Sequence, residues 1–189
     1  MNNFTQSDSK EIILVTGGSR SGKSEWAENL ANNSNKSVIY VATATVDSTD
    51  QEWQARILKH QQRRPNNWET ITENKDLDLV INQALNNQCL LIDSLGTWVA
   101  NFLDLEANSW QKITDRLLNS LDNTQGSIIM VGEETGWGIV PAYKSGRIFR
   151  DRLGNLTRQI GAIADTTYLV VGGHVINLSV LGTPLRINS

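Results

Sequence analysis

Five short apolar runs, rich in valine, isoleucine and leucine, recur along the chain. They cover residues 12–16, 38–42, 89–93, 127–131 and 168–171. None alternates strictly between apolar and polar residues, which is typical of strands covered on both faces, as in a parallel sheet. The pattern therefore predicts five buried strands.

Longer stretches with helical spacing separate these runs. They cover residues 23–31, 52–62, 76–85, 110–121 and 148–164. In the last stretch, five apolar residues are spaced to form one buried stripe: Ile148, Leu153, Leu156, Ile160 and Ile163. Because strand and helix alternate, we predict an α/β fold, a three-layer sandwich with a mostly parallel sheet.

The composition is ordinary for one globular domain. The chain has 189 residues, of which 39% are hydrophobic and 20% charged, and its net charge is −3. That charge gives no reason to expect nucleic acid or an anionic membrane as a partner. The single cysteine, Cys89, lies in an apolar run, so we expect a core residue in a reducing compartment.

The apolar pattern predicts neither a membrane span nor a signal-peptide core. No apolar stretch approaches the roughly 20 residues of a membrane span. Residues 1–10 are polar and lack the apolar core of a signal peptide. We therefore expect residues 1–10 to form a flexible tail, residues 11–189 to form a single catalytic domain, and the protein to work in the cytoplasm.

The strongest motif follows the first predicted strand. Residues 17–24 match the pattern G-x-x-x-x-G-K-S in full, and a predicted helix begins at Lys23. Glycines let backbone N–H groups turn inward around an anion, and a helix N-terminus adds partial positive charge. The alternative is a chance Gly/Ser loop, but the strand–loop–helix context favours a phosphate-binding loop (P-loop). The predicted nucleotide contacts are Gly17, Gly18, Ser19, Arg20, Ser21, Gly22, Lys23 and Ser24.

Two side chains of this loop have expected roles in chemistry. Lys23 reaches the β and γ phosphates as a point charge, and Ser24 offers its hydroxyl to Mg²⁺. A second metal ligand is expected at the end of a neighbouring strand, where Asp93 stands. The alternative is that Asp93 caps a helix, because Asp93-Ser94 also suits an N-cap. We favour the metal or nucleotide role.

The two histidines have different settings. His60 lies in residues 55–65, with four basic residues within four positions of it. A neutral imidazole is a competent nucleophile toward phosphorus, but a histidine in a basic helix end also suits a C-cap. From the residues alone, the cap is the simpler interpretation. His174 follows two glycines at a strand end, and we expect it in a loop or in the core.

Two adjacent carboxylates, Glu133 and Glu134, follow the fourth predicted strand in a glycine-rich loop. Ligands of open α/β sheets bind at that edge. The alternative is a solvent-exposed turn anchored by Trp137, and the residues alone leave both interpretations open.

Several motifs occur together in this one chain. They are Thr16-Gly17-Gly18 before the P-loop, a His-x-x-x-Arg-Pro at residues 60–65, and Gly138-Ile139-Val140-Pro141. With the segments at residues 38–43, 90–94 and 149–155, they resemble the bifunctional adenosylcobinamide kinase / adenosylcobinamide-phosphate guanylyltransferase family of cobalamin biosynthesis. The resemblance runs from Ile13 to about Val171, which is nearly the whole chain.

The resemblance implies two reactions in one RecA-like P-loop NTPase fold. The enzyme first phosphorylates the aminopropanol hydroxyl of adenosylcobinamide with ATP or GTP. His60 then attacks the α-phosphate of GTP, and the resulting guanylyl-histidine transfers GMP to adenosylcobinamide phosphate, which gives adenosylcobinamide-GDP. The resemblance also implies Mg²⁺ as cofactor and a homotrimer.

The resemblance also implies further site residues. Positions that contact GTP in the family correspond here to Thr43, Ala44, Thr45, Gln61, Gln62, Arg63, Arg64 and Asp93. Glu134 corresponds to a residue expected to contact substrate or metal. Glu133 departs from the family pattern, in which asparagine is frequent at this position, so the local contacts there are in question.

Other functions stay open at this level. A guanylyltransferase that no longer phosphorylates, or the reverse, would use the same P-loop. A general small-molecule kinase would transfer the γ-phosphoryl group with no covalent nucleotide. A non-catalytic GTP-binding switch, from a different class, would bind nucleotide without turnover and need no His60.

Overall fold

A computed structural model describes residues 10–45 and 64–185 of the chain. Within these ranges seven strands form one sheet: β1 (Ile12–Gly17), β2 (Ser37–Ala42), β3 (Glu69–Thr72), β4 (Gln88–Asp93), β5 (Ser127–Glu133), β6 (Thr166–Val171) and β7 (His174–Asn177). The helices in the same ranges are α1 (Lys23–Asn32), α2 (Leu77–Asn82), α3 (Leu95–Ala100), α4 (Ala107–Asn123), α5 (Lys144–Ile163) and α6 (Leu178–Leu181). None of these helices is long and apolar enough to cross a membrane.

The sheet runs in the order β3-β2-β4-β5-β1-β6-β7. Every neighbouring pair is parallel except β6 and β7, which pair antiparallel. The carboxyl ends of six strands therefore meet at one edge. The five predicted strands are all confirmed, each within two residues of its predicted ends.

Two apolar cores cover the two faces of the sheet. Neighbouring residues of β1 point to opposite faces, as strand geometry requires: Leu14 belongs to one core and Val15 to the other. The core around Val15 includes Ala27 and Ala31 of α1. The core around Leu14 includes buried residues of α2, α3, α4 and α5. The predicted three-layer sandwich is confirmed.

The buried stripe of α5 differs from the prediction at its C-terminal end. Leu153, Leu156 and Ile160 are fully buried and pack in the core, but Ile163 is 36% exposed. Ile163 is the last residue of α5, where the chain turns toward β6, so periodicity there no longer predicts burial. The predicted helix at residues 52–62 lies outside the described residues.

Four short elements are absent from the sequence prediction: β3, α3, β7 and α6. Each has at most six residues, too few for a period to emerge. The expectation for His174 was wrong, because it is neither a loop nor a core residue. It begins the edge strand β7, is exposed, and its Nδ1 lies 2.9 Å from the Gly172 carbonyl oxygen.

Cys89 is fully buried, as expected, and burial raises the pKa of its thiol to about 11. Lys10, which we expected in the tail, donates a hydrogen bond from Nζ to the Asp122 carbonyl oxygen at 2.8 Å.

Candidate functional site

The P-loop connects the carboxyl end of β1 to the first turn of α1. A Cβ atom added to Gly17 would collide with the Val170 carbonyl oxygen of β6 and lie 2.7 Å from Ser21 Oγ. Gly22, just before the helix, has a φ of 96°, in the left-handed region that favours glycine. Both glycines are therefore required by the local backbone, at the two ends of the loop.

Lys23 and Ser21 supply polar groups to this loop. Lys23 is only 8% exposed, and its Nζ donates to the Gly18 carbonyl oxygen at 3.3 Å. The side chain is therefore folded back over the loop, with its charge at the N-terminus of α1. Ser21 Oγ is buried and has no hydrogen-bond partner among the described residues. A bound anion would satisfy both groups.

Asp93 lies at the carboxyl end of β4, and β5 separates β4 from β1, which leads into the P-loop. The Asp93 side chain nevertheless reaches Ser24, at the end of the P-loop. Its Oδ1 lies 3.4 Å from Ser24 Oγ, and its Oδ2 accepts a hydrogen bond from the Tyr40 hydroxyl at 3.2 Å. Burial raises the pKa of the Asp93 carboxyl, and the hydrogen bonds from Ser24 and Tyr40 oppose that rise. The carboxylate and the serine hydroxyl are thus brought together, as the sequence predicted.

The alternative role of Asp93 as a helix cap is wrong. Ser94 caps α3, since its Oγ accepts from the Thr97 backbone N–H while Thr97 Oγ1 accepts from the Ser94 backbone N–H. This reciprocal capping box satisfies the start of the helix. The Asp93 carboxyl is therefore left to face Ser24 and Tyr40.

The donor set at Ser24 and Asp93 fits Mg²⁺. One hydroxyl and one carboxylate are typical protein ligands for this ion when substrate phosphates and water supply the remainder. In the described ranges, no group of three or more His, Cys, Asp or Glu side chains is close enough to hold a metal ion by itself. A metal bound here would therefore depend on the nucleotide.

Tyr40 is a site residue that the sequence analysis missed. It is 5% exposed in β2, and the Arg64 guanidinium carbon lies 3.6 Å from its ring centroid. Arg64 Nη1 also donates to Thr70 Oγ1 at 3.4 Å. A tyrosine in an otherwise aliphatic strand is the signal that could have found it, because a buried phenol needs a polar partner.

Residues 43–45 follow β2 and adjoin the start of α3. Thr43 is fully buried, and its Oγ1 donates to the Ser94 carbonyl oxygen at 2.7 Å and accepts from the Ser94 N–H at 3.0 Å. Thr45 Oγ1 donates to Asn101 Oδ1 at 2.9 Å, and Ala44 between them is half-buried. These threonine hydroxyls hold the end of β2 against α3.

Glu133 and Glu134 are half-buried at the carboxyl end of β5. Glu134 Oε1 accepts from Thr16 Oγ1 at 2.7 Å, and Glu133 Oε2 accepts from the Gly96 N–H at 2.9 Å. Burial raises the pKa of Glu133, while a hydrogen bond from Ser94 and the charge of Lys23 oppose the rise.

Residues 135–140 are exposed and include a turn, as one interpretation predicted, but Trp137 does not anchor it. Both carboxylates are hydrogen-bonded to neighbouring strand and helix groups. The Trp137 side chain is 70% exposed and anchors nothing.

Four predicted site residues, His60, Gln61, Gln62 and Arg63, lie outside the described residues. The structure therefore brings together the P-loop, Asp93, Arg64 and the Glu133–Glu134 pair, and it adds Tyr40.

Comparison with known proteins agrees with this arrangement. Residues 13–178 match the family model described as cobinamide kinase / cobinamide phosphate guanyltransferase. The bifunctional adenosylcobalamin biosynthesis protein CobU of Escherichia coli K12 is 36% identical, over 86% of this chain and 96% of that protein. The corresponding protein CobP of Pseudomonas aeruginosa is also 36% identical, over 91% of this chain and 98% of that protein.

Solved structures give the fold. A protein of Pyrococcus horikoshii OT3 aligns with a TM-score of 0.55 and 9% identity, over 89% of this chain and 85% of that one. An ATPase of a bacterial type III secretion system aligns with a TM-score of 0.50 and 14% identity, over 84% of this chain and 50% of that one. The chain thus has the RecA-like fold of P-loop NTPases, and it belongs to the cobinamide kinase / cobinamide phosphate guanyltransferase family.

Proposed function

We propose that this protein carries out both reactions of its family. It phosphorylates adenosylcobinamide on the aminopropanol hydroxyl, and it transfers GMP from GTP to adenosylcobinamide phosphate. One observation carries the proposal. In a chain of this family, Lys23, Ser24 and Asp93 lie together around one phosphate-binding loop.

The P-loop residues Gly17, Gly18, Ser19, Arg20, Ser21, Gly22, Lys23 and Ser24 hold the nucleotide phosphates in both steps. Lys23 acts in catalysis, because its ammonium group offsets the negative charge that develops on the transferred or departing phosphates. Its burial at the helix N-terminus supports that role, since a charge held in place needs no reorganisation during the reaction.

Mg²⁺ is the proposed cofactor, held by Ser24 Oγ and Asp93 Oδ1 together with the nucleotide phosphates. When bound, this ion supplies charge neutralisation at the phosphates. Tyr40 orients Asp93 by donating to its second carboxylate oxygen, and Arg64 over the Tyr40 ring adds positive charge beside the nucleotide.

The guanylyl step is assigned to His60. An imidazole nitrogen forms a bond to the α-phosphorus of GTP, the bond from that phosphorus to the bridging oxygen breaks, and pyrophosphate leaves. The acceptor phosphate then takes the guanylyl group and frees the histidine. The neighbouring Gln61, Gln62 and Arg63, with Thr43, Ala44 and Thr45 at the end of β2, are proposed to contact GTP.

The proposal is tested by supplying adenosylcobinamide, Mg²⁺ and GTP to the purified protein and following corrinoid products by mass spectrometry. We expect adenosylcobinamide phosphate first and adenosylcobinamide-GDP later, with one pyrophosphate released per GDP product. Accumulation of the phosphate alone would leave only a kinase. GTP binding without any product would leave the non-catalytic switch as the better account.

The Tyr40→Phe variant tests the metal site. Without the hydroxyl, the Asp93 carboxylate loses one of the groups that orient it, and loss of such an outer partner costs roughly tenfold in metal affinity or activity. We expect the Mg²⁺ concentration for half-maximal kinase activity to rise by about that factor. Tyr143→Phe, the same change at an 81% exposed side chain, is the control. An unchanged Mg²⁺ dependence in Tyr40→Phe would contradict the role of Tyr40.

We propose a homotrimer that works in the cytoplasm, where its nucleotide substrates are present, and without nucleic acid as a partner. Exposed apolar side chains on and after α6 support contact between copies: Val180 is 76% exposed, Leu181 75% and Leu185 66%. Light scattering on the purified protein would measure its mass, and the mass of a single chain would exclude the trimer.

A further inference from the structure

A cleft of about 770 Å³ lies between the sheet and the middle of α5. Its inner end is formed by Thr16, Glu133 and Glu134, where β1 and β5 end. Gly154 and Thr157 of α5 line one wall. The volume falls in the range of small-molecule sites, roughly 300–1,000 Å³.

The inner end of the cleft adjoins the P-loop. Thr16 directly precedes the loop, and the Glu134 backbone N–H donates to the Gly17 carbonyl oxygen at 3.0 Å. The Glu133 carboxyl interacts electrostatically with Lys23 and Asp93. A molecule in this cleft would therefore approach the nucleotide phosphates from the α5 side of the sheet, whereas α1 packs on the opposite side.

The α5 wall combines open space with an unsatisfied polar group. Gly154, Thr157 and Gly161 recur at helical spacing along the cleft, and no protein atom lies within 4 Å of a Cβ atom added to Gly154. Thr157 Oγ1 is shielded from solvent and has no hydrogen-bond partner among the described residues. A buried hydroxyl without a partner is unfavourable, and Thr157 Oγ1 lies 3.5 Å from the position of a Cβ atom added to Gly132 of β5.

The rim of the cleft is apolar and exposed. Trp137 lines the cleft and is 70% exposed, and Ile139 and Val140 in the same loop are 95% and 59% exposed. Large apolar side chains grouped in this way mark contact with another molecule. Trp137 lines the cleft while most of its side chain is exposed, which suits a ligand whose bulky body stays outside while a narrow arm enters.

We propose that this cleft binds the hydroxyl-bearing arm of the kinase acceptor, with the bulky body of the acceptor against Trp137. The inference rests on the kinase half of the proposed function and specifies where its acceptor lies. Arg158 and Asp165 also line the cleft, but at its inner end the two carboxylates of Glu133 and Glu134 favour a neutral alcohol and disfavour a phosphate dianion. The site therefore accepts the alcohol and releases its phosphorylated product.

The reaction at this site balances as a simple phosphoryl transfer. The acceptor oxygen forms a bond to the γ-phosphorus, the bond to the β–γ bridging oxygen breaks, and the nucleoside diphosphate leaves with the electron pair. The hydroxyl proton passes to the carboxylate pair of Glu133 and Glu134.

The Gly154→Phe variant tests the site, because Gly154 lines the cleft and a Cβ atom added there meets no protein atom within 4 Å. A phenyl ring at this position should therefore obstruct the cleft. We expect KM for adenosylcobinamide to rise about tenfold or more, as a lost binding contact predicts. Nucleotide affinity and covalent labelling by GTP should stay within about twofold. Asn119→Phe, at an exposed position of α4, is the matched control and should change none of these values.

Trp137→Ala is the second variant, and because the Trp137 side chain is 70% exposed, its removal should leave the packing of the core unchanged. We expect a several-fold weaker binding of adenosylcobinamide in equilibrium dialysis, followed by corrinoid absorbance without nucleotide turnover. Equal corrinoid binding by wild type, Gly154→Phe and Trp137→Ala would overturn the cleft assignment. A loss of nucleotide affinity in Gly154→Phe as large as its loss of adenosylcobinamide affinity would also overturn the assignment.

The two proposals fail in different ways. A wild-type protein that binds adenosylcobinamide but forms no phosphorylated product contradicts the kinase function. A wild-type protein that phosphorylates adenosylcobinamide, with variants that match it in KM and in corrinoid binding, contradicts only the cleft.

Discussion

The His60→Ala variant is expected to form no covalent adduct with GTP. With Mg²⁺ and α-labelled GTP, the wild-type chain should retain label after denaturation, and the label should be acid-labile and alkali-stable, as for a phosphoramidate. Alanine has no nucleophile, so the two-step guanylyl transfer loses its intermediate. Phosphorylation of adenosylcobinamide should stay within about threefold of wild type, because the γ-phosphoryl step needs no histidine nucleophile.

The second histidine of the chain provides the control for this experiment. His174 is exposed on the edge strand β7, and His174→Ala should keep full labelling. Label from γ-labelled GTP would indicate a phosphoryl rather than a guanylyl adduct. Persistent α-label in His60→Ala would remove His60 from the mechanism and indicate that another side chain carries the guanylyl group.

The Lys23→Met variant is expected to lose both reactions. Removing one fixed group that stabilises developing charge typically lowers the rate by about 10²–10³, and here the same ammonium serves both steps. Methionine keeps the length and much of the apolar volume of the buried stem, so the fold should persist. We expect kcat/KM for the kinase step and the rate of covalent labelling to fall together by at least about 10²-fold.

Loss of both reactions in Lys23→Met distinguishes Lys23 from His60, because His60→Ala should lose guanylyl transfer alone. Lys112→Met, at an exposed position of α4, is the control, and thermal unfolding of all variants would show whether the fold is retained. Retention of either reaction at the wild-type rate in Lys23→Met would contradict a common P-loop site.

Local sequence patterns were sufficient to predict the P-loop and the strand end that carries Asp93. The glycines of residues 17–22 and the helix that begins at Lys23 lie within one short segment, and so their geometry follows from neighbouring residues. The sequence also predicted that Asp93 ends a strand, because buried parallel strands appear in a sequence as continuous apolar segments. The same patterns failed to predict burial at Ile163, where the helix ends, and failed to predict the edge strands, which are too short to show a period.

The sequence by itself determined the three-layer α/β sandwich, the P-loop and the family of the protein. Only the tertiary structure decided that Tyr40 orients Asp93 and that Ser94 rather than Asp93 caps α3. Only the tertiary structure also opened a cleft beside Glu133 and Glu134. The cap at Ser94 is a local contact with Thr97, but the Tyr40–Asp93 contact and the cleft join residues far apart in the chain through the order and register of the strands. That order is set by long-range pairing and packing, so local propensity and periodicity carry no information about it.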